Sequence, residues 1–172
     1  MKAMSPIRSE ALGALAGVLG GLVLAAFFVA MSWKDGHDLW QPLKLAGYPL
    51  LAARALRPGL DNVAIAVGVA LHLGISAAWG LSFGLVFHGL SRLGTFVAGL
   101  VWGFAAWAVM SWLVLPLADM IDVARAMPLG RAIFAHLLFG ATLAVAFMPA
   151  QPARRYVAAP QGARPREDPH RA

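Results

Sequence analysis

The sequence predicts an all-α membrane protein of four transmembrane helices, arranged as two pseudo-repeated helical hairpins. Four stretches contain no Asp, Glu, Lys or Arg: Ala11–Trp33, Asn62–Ser91, Leu93–Ala118 and Ala132–Ala153, of 23, 30, 26 and 22 residues. An α-helix rises about 1.5 Å per residue, so about 20 apolar residues cross a hydrocarbon core about 30 Å thick. Composition agrees, because 60% of the 172 residues are hydrophobic and 13% are charged, where soluble domains carry about 25% charge. A third observation divides the chain in two. Met31-Ser32-Trp33 recurs as Met110-Ser111-Trp112, Ala53-Arg54-Ala55-Leu56 before Pro58 as Ala124-Arg125-Ala126-Met127 before Pro128, and His72-Leu73 as His136-Leu137. The three pairs keep their order, as expected of hairpins related by a pseudo-two-fold along the membrane normal.

The domain of residues 1–150 therefore holds spans at about 11–33, 62–91, 93–117 and 131–150. Lys2 and Arg8 precede the first span in the manner of a signal peptide. A signal core is about 7–15 residues long and ends at a small-x-small site, and this stretch runs on to Trp33 without one, so it reads as a retained span. The connection after it predicts a short amphipathic helix at the membrane surface over Pro49–Arg57. The proline suits a first turn, Arg54 and Arg57 share a face, and Leu50, Leu51 and Leu56 dip into lipid. A second such helix is expected over Asp119–Met127, where Asp119, Asp122 and Arg125 recur every third residue with the acids first, as the helix dipole prefers. Trp33, Trp40 and Trp112 are expected at the same interface as anchors. Pro116 and Pro149 fall near span ends and are not expected to interrupt a helix.

Small residues at four-residue spacing mark one side of each span: Gly13, Gly17 and Gly21; Gly68, Ser76, Gly80 and Gly84; Gly99 and Gly103; Gly140 and Ala144. In lipid no hydrophobic effect draws helices together, so close backbone approach through small residues is a main source of association. Residues 151–172 are rich in Pro, Arg and Ala and read as a disordered basic cytoplasmic tail, with Arg154 and Arg155 beside Tyr156 at anionic headgroups.

Charge sets the expected orientation. With both termini cytoplasmic, that side carries Lys2, Arg8, Arg92, Arg154, Arg155, Arg164, Arg166 and Arg171 against Glu10, Glu167 and Asp168. The opposite side is nearly balanced, with six basic residues (Lys34, Lys44, Arg54, Arg57, Arg125 and Arg131) against five acidic ones (Asp35, Asp38, Asp61, Asp119 and Asp122). The positive-inside rule places the termini inside, and the net charge of +6 then reflects membrane topology and not nucleic-acid binding. Eleven arginines against three lysines, with abundant Ala and Gly, point to a GC-rich bacterial genome and hence to the bacterial inner membrane.

The candidate site is His72 with His136. An ionisable side chain inside a span is costly and faces protein or water. His72 lies 20 residues from Arg92 and His136 lies 18 from Arg154, so both sit about 27–30 Å from the cytoplasmic charges and are level in the outer leaflet. Paired imidazoles beside bare glycine backbone are what a b-type haem needs. The competing reading is a pair of neutral histidines bonded to carbonyls or hydroxyls across helix interfaces, with Ser76 and Thr142 available. His37, between Asp35 and Asp38, reads as a polar turn before a metal site. His88 reads as bonded to a helix terminus, and His170 lies in the tail.

The chain has no cysteine, which removes disulfides and thiolate chemistry. No phosphate loop, HExxH, nucleophile elbow or intramembrane carboxylate is present, so hydrolysis, phosphoryl transfer and ion-coupled transport have no visible residues. Three motifs remain: the Gly-rich first span, Trp40-Gln41-Pro42-Leu43-Lys44-Leu45, and Ala135-His136-Leu137-Leu138-Phe139-Gly140. With these the chain resembles small uncharacterised bacterial inner-membrane proteins of the YagU-like kind, a resemblance that implies a polytopic membrane location and carries over no functional residue. The expected role is a non-enzymatic accessory, assembly or oligomeric membrane component in a homo-oligomer or larger complex. The alternatives are electron transfer through haem or quinone at His72 and His136, and a small-solute channel or carrier.

Overall fold

The computed structural model of the protein describes residues 6–122 and 127–150, and all of its regular structure there is helical. Helix α1 spans Pro6–Lys34. Three short helices follow, α2 (Gln41–Leu45), α3 (Tyr48–Leu51) and α4 (Ala53–Leu56), and then α5 (Asn62–Val86), α6 (Arg92–Leu117) and α7 (Leu129–Phe147). The four long helices are each long and apolar enough to cross a membrane. The tail expected at 151–172 and Arg125 lie outside the described residues. The second span ends earlier than the sequence predicts, at Val86, because Phe87–Leu90 form the turn into α6.

Capping explains where these helices begin. The Asp61 carboxylate accepts from the backbone N–H of Val63 and Ala64 at 3.1 and 3.0 Å and starts α5, and Ser91 Oγ accepts from Gly94 N–H at 3.1 Å and starts α6. Each satisfies donors that a helix start otherwise leaves unpaired.

The bundle has an apolar core, with Phe83, Phe139, Leu143 and Phe147 buried, and unlike a soluble bundle its outer surface is apolar as well. Leu15, Leu19, Leu81, Leu85, Val97, Val101, Phe104, Phe134 and Val145 are exposed, while Ala16, Ala64, Gly80, Gly103, Ala135, Gly140 and Ala144 are buried. A water-soluble monomer rarely exposes so continuous an apolar surface; a bilayer requires one. The glycine faces explain the contacts. A Cβ on Gly13 would strike the Gly80 carbonyl and Gly84, one on Gly17 would strike the Ser76 carbonyl and Gly80, and one on Gly21 would strike the Ser76 side chain, so α1 and α5 touch backbone to backbone. Gly99 and Gly103 seat Gly140, Ala144 and the His136 carbonyl in the same way, joining α6 to α7. Gly68 serves a different contact: a Cβ there would strike the carbonyl of Leu43, because α2 lies against the flank of α5.

The two hairpins do not meet symmetrically. Helix α1 packs closely along α7, with Gly20 against the Phe139 ring, whereas the backbones of α5 and α6 scarcely approach each other. Side chains bridge them instead. Trp102 Nε1 donates to the Trp79 carbonyl at 3.0 Å, and the Trp102 ring meets those of Trp79 and Phe87 at centroid separations of 5.5 and 5.4 Å. Phe83 joins this cluster and meets Phe147 of α7 at 5.6 Å. The cluster lies toward the 87–91 turn; toward the opposite end, which carries residues 35–61, α5 and α6 leave a gap.

Two expectations need correction, and a third gains a detail. The surface helix over Pro49–Arg57 is two one-turn pieces, α3 and α4, separated at Ala52, whose φ of 46° breaks the helix. Asp119 ends α6 instead of opening the next helix: its φ is 57°, and the N–H of Met120 reaches back to the Leu115 carbonyl at 2.8 Å, a helix-terminating arrangement in which the residue after the cap turns left-handed; Ile121 and Asp122 are helical, and residues 123–126 of the expected surface helix lie outside the described residues. Pro116 leaves α6 unbroken to Leu117, as expected, but changes its winding. A proline ring clashes with the carbonyl four residues earlier and offers no N–H, and α6 answers with a π-helical turn over Met110–Val114, in which Leu115 N–H bonds the Met110 carbonyl.

Candidate functional site

The gap between α5 and α6 is one side of a cavity of about 960 Å³. Helices α1 and α7 line it with Phe28, Ser32, His136 and Phe139, α5 with His72, Ser76 and Trp79, α6 with Trp107, Met110, Ser111 and Trp112, and α2 with Gln41 and Leu43. The π-turn shapes one wall. Its i to i+5 pattern brings Trp112 back over Trp107, with ring centroids 5.4 Å apart, and turns the whole Met110-Ser111-Trp112 motif toward the cavity.

Both sequence-selected histidines line this space. His72 is ten residues into α5 and His136 seven into α7 from the same end of the bundle, about 15 and 10 Å deep. His72 Nε2 bonds the Gly21 carbonyl of α1 at 2.8 Å, possible because α1 and α5 approach so closely, and Ser76 Oγ donates to the His72 carbonyl at 2.8 Å. His136 Nδ1 bonds the Ala132 carbonyl of its own helix at 2.9 Å. Each ring keeps one nitrogen unused. A haem held between them would need His72 to give up Gly21 or to ligate through Nδ1, so the pair fits a bis-imidazole haem poorly. Thr142 Oγ1 bonds the Leu138 carbonyl and does not reach either ring. His88 Nδ1 bonds the Leu85 carbonyl near the end of α5, and no group of three metal-binding side chains exists among the described residues.

The rim is charged but internally neutralised. Arg131 Nη1 donates to Asp35 Oδ2 at 2.5 Å, tying the end of α1 to the first turn of α7. Asp38 accepts from Lys44 Nζ at 3.1 Å, from Gly59 N–H at 2.9 Å and from Trp40 N–H at 3.0 Å. Lys44, fully buried, also donates to the carbonyls of Arg57 and Gly59 at 2.5 and 2.7 Å. All three ammonium hydrogens are used, and residues 38–59 close into a cap around a single charge. The sequence places Lys44 among the outer-side charges, and the fold turns it inward.

These carboxylates make the cap acid-labile. Arg131 beside Asp35 lowers its carboxyl pKa against a smaller opposing effect of burial, and Arg54 with the α5 backbone N–H groups holds Asp61 far below the usual carboxylate range. Burial pushes Asp38 upward, but the hydrogen bonds from Trp40, Lys44 and Gly59 outweigh it and leave its pKa lowered. A carboxyl with a depressed folded pKa contributes its full stabilisation above the unfolded value and loses it as pH falls through the folded one. The 35–61 segment is therefore expected to keep its protection factors against hydrogen exchange at pH 5 and to lose them progressively as pH falls below the ordinary carboxylate range, while those of the helix interiors persist.

A model for a family of unknown function (DUF6789) matches residues 7–157. No curated protein and no solved structure matches the chain.

Proposed function

We propose, for a chain that belongs to the family of unknown function DUF6789, that it is a multi-pass protein of the bacterial inner membrane that works by holding a neutral, lipid-soluble molecule inside its bundle. The observation that carries this reading is the cavity of about 960 Å³, mostly apolar along its walls, with His72, His136, Ser76, Ser32 and Ser111 as polar groups and Gln41, His37 and the Asp35–Arg131 pair also in its lining. Ligand sites are commonly mostly apolar cavities of about 300–1,000 Å³ with few polar groups. On this reading the protein is a non-enzymatic accessory component, which the apolar character of most of the lining supports. The charge distribution supports cytoplasmic termini and a cavity in the outer leaflet.

The duplicated-hairpin reading finds support in the packing. Gly17 and Gly21 flank Ser76 while Gly99 and Gly103 flank Gly140, and Ser76 and Gly140 stand 64 positions apart, as His72 and His136 do. On this reading the two hairpins differ at the π-turn, which only α6 carries among the described residues.

The test is extraction of the purified protein with organic solvent and mass spectrometry of what it releases. A neutral amphiphile near one per chain is expected, and Ala25→Trp, which fills the cavity from α1, is expected to lower that occupancy several-fold without lowering the melting temperature. An extract identical for the two proteins would overturn the reading. A reduced-minus-oxidised spectrum of protein made with ample haem is expected to show no haem band, and a band lost in His136→Ala would restore the electron-transfer alternative.

A further inference from the structure

We infer that the molecule held in the cavity presents hydroxyl donors at its polar end and is a lipid-soluble hydroquinone, an aromatic diol with an apolar tail. The inference rests on the binding reading above and extends it to the ligand. Its basis is the polarity of the two imidazole bonds. His72 Nε2 and His136 Nδ1 each face a backbone carbonyl, at 2.8 and 2.9 Å. A carbonyl only accepts, so each of those nitrogens carries the hydrogen, and in the neutral ring the other nitrogen is a bare acceptor. His72 Nδ1 and His136 Nε2 are those acceptors.

Neither acceptor has a protein donor, since the nearby Ser76 hydroxyl is spent on the His72 carbonyl. No side-chain nitrogen or oxygen among the described residues is at once buried and unpartnered, so both acceptors look onto open space, and the space both histidines line is the cavity. Two acceptors in a mostly apolar chamber call for two donors. A quinone, an ester or an ether would set lone pair against lone pair, whereas a hydroquinone supplies one O–H to each ring.

Two further features narrow the class. Among the described residues the charged groups that line the cavity, Arg131 and Asp35, are paired with each other and leave no free charge there for an ionic headgroup. Trp79, Trp107, Trp112, Phe28 and Phe139 line the walls and offer ring faces and edges to a flat aromatic ligand.

The experiment uses the full chain in detergent under anaerobic, reducing conditions, with binding followed by tryptophan fluorescence. The probes are a short-tailed alkyl hydroquinone, its dimethyl ether and a glycerol ether of the same tail. The hydroquinone is expected to bind about 10-fold or more tightly than the dimethyl ether, as two net hydrogen bonds would produce. His136→Phe keeps the ring volume and removes one acceptor; it is expected to lose most of that preference, because hydroquinone binding weakens while the dimethyl ether no longer meets a lone pair there. His72→Phe serves as a second variant should the first fail to fold. Equal binding of hydroquinone and dimethyl ether would overturn the hydroxyl-donor assignment and leave the binding reading standing. Equal binding of the glycerol ether would overturn the aromatic class. No binding of any probe would remove both readings.

Discussion

Gly80→Leu is expected to abolish the folded bundle. A Cβ at Gly80 meets the Gly13 carbonyl and then the backbone of Gly17 at 2.6 and 2.7 Å, so even alanine has nowhere to go without moving a helix. Leucine adds three further carbons against main chain that has no rotamer to yield. Overpacking a well-filled interior costs about 1–3 kcal/mol when side chains can adjust, and here the obstacle is backbone, so about 3 kcal/mol or more is the expectation. The measurement is the fraction of detergent-solubilised protein eluting as a single species, with its thermal transition. Near-complete loss of the monodisperse peak is expected. Leu15→Ala, on the lipid-facing side of α1, is expected to change neither. Wild-type behaviour of Gly80→Leu would mean that α1 and α5 do not touch as described.

The second large effect is expected at Lys44. Lys44→Met keeps the buried stem but removes the ammonium, leaving the Asp38 carboxylate and the carbonyls of Arg57 and Gly59 without their donor. Breaking a buried pair from one side costs about 3–5 kcal/mol because the remaining charge is uncompensated. The lower end applies, since the Asp38 side chain is 21% exposed and keeps its bonds from Gly59 and Trp40. The loss is local: limited proteolysis is expected to cut within residues 35–61 at rates the wild type does not show, while the long helices stay intact. Lys44→Met combined with Asp38→Asn is expected to recover part of the loss, because the stranded charge is gone. If the single and double variants were cut equally fast, the ion pair would not be what organises the cap.

The four long helices were legible because lipid imposes a one-dimensional requirement, an uncharged run of sufficient length, and a sequence displays runs directly. The glycine faces were legible for a related reason: four-residue spacing marks one side of a helix whatever it packs against. What spacing does not encode is the partner. Gly68 carries the same stripe as Gly80 yet receives α2, a segment of the intervening loop. His72 and His136 were singled out by their cost in a membrane, and the structure places both on one cavity. Their hydrogen-bond polarity was not readable, since it depends on which carbonyls the folded backbone puts beside each ring. The π-turn was missed because Pro116 was judged by its distance from the end of the run, when the clash it creates falls a full turn earlier. Lys44 was missed because a single cation in a loop looks solvated until three acceptors, one of them 15 positions away, converge on it.

The separation of α5 from α6 bears on how affinity is to be expressed. Where two neighbouring spans stand apart, a solute can come and go sideways through the fatty-acyl region and need never dissolve in water. Occupancy then follows mole fraction in the surrounding amphiphile, so dilution with buffer should leave a loaded protein loaded, and adding detergent at fixed protein should empty it.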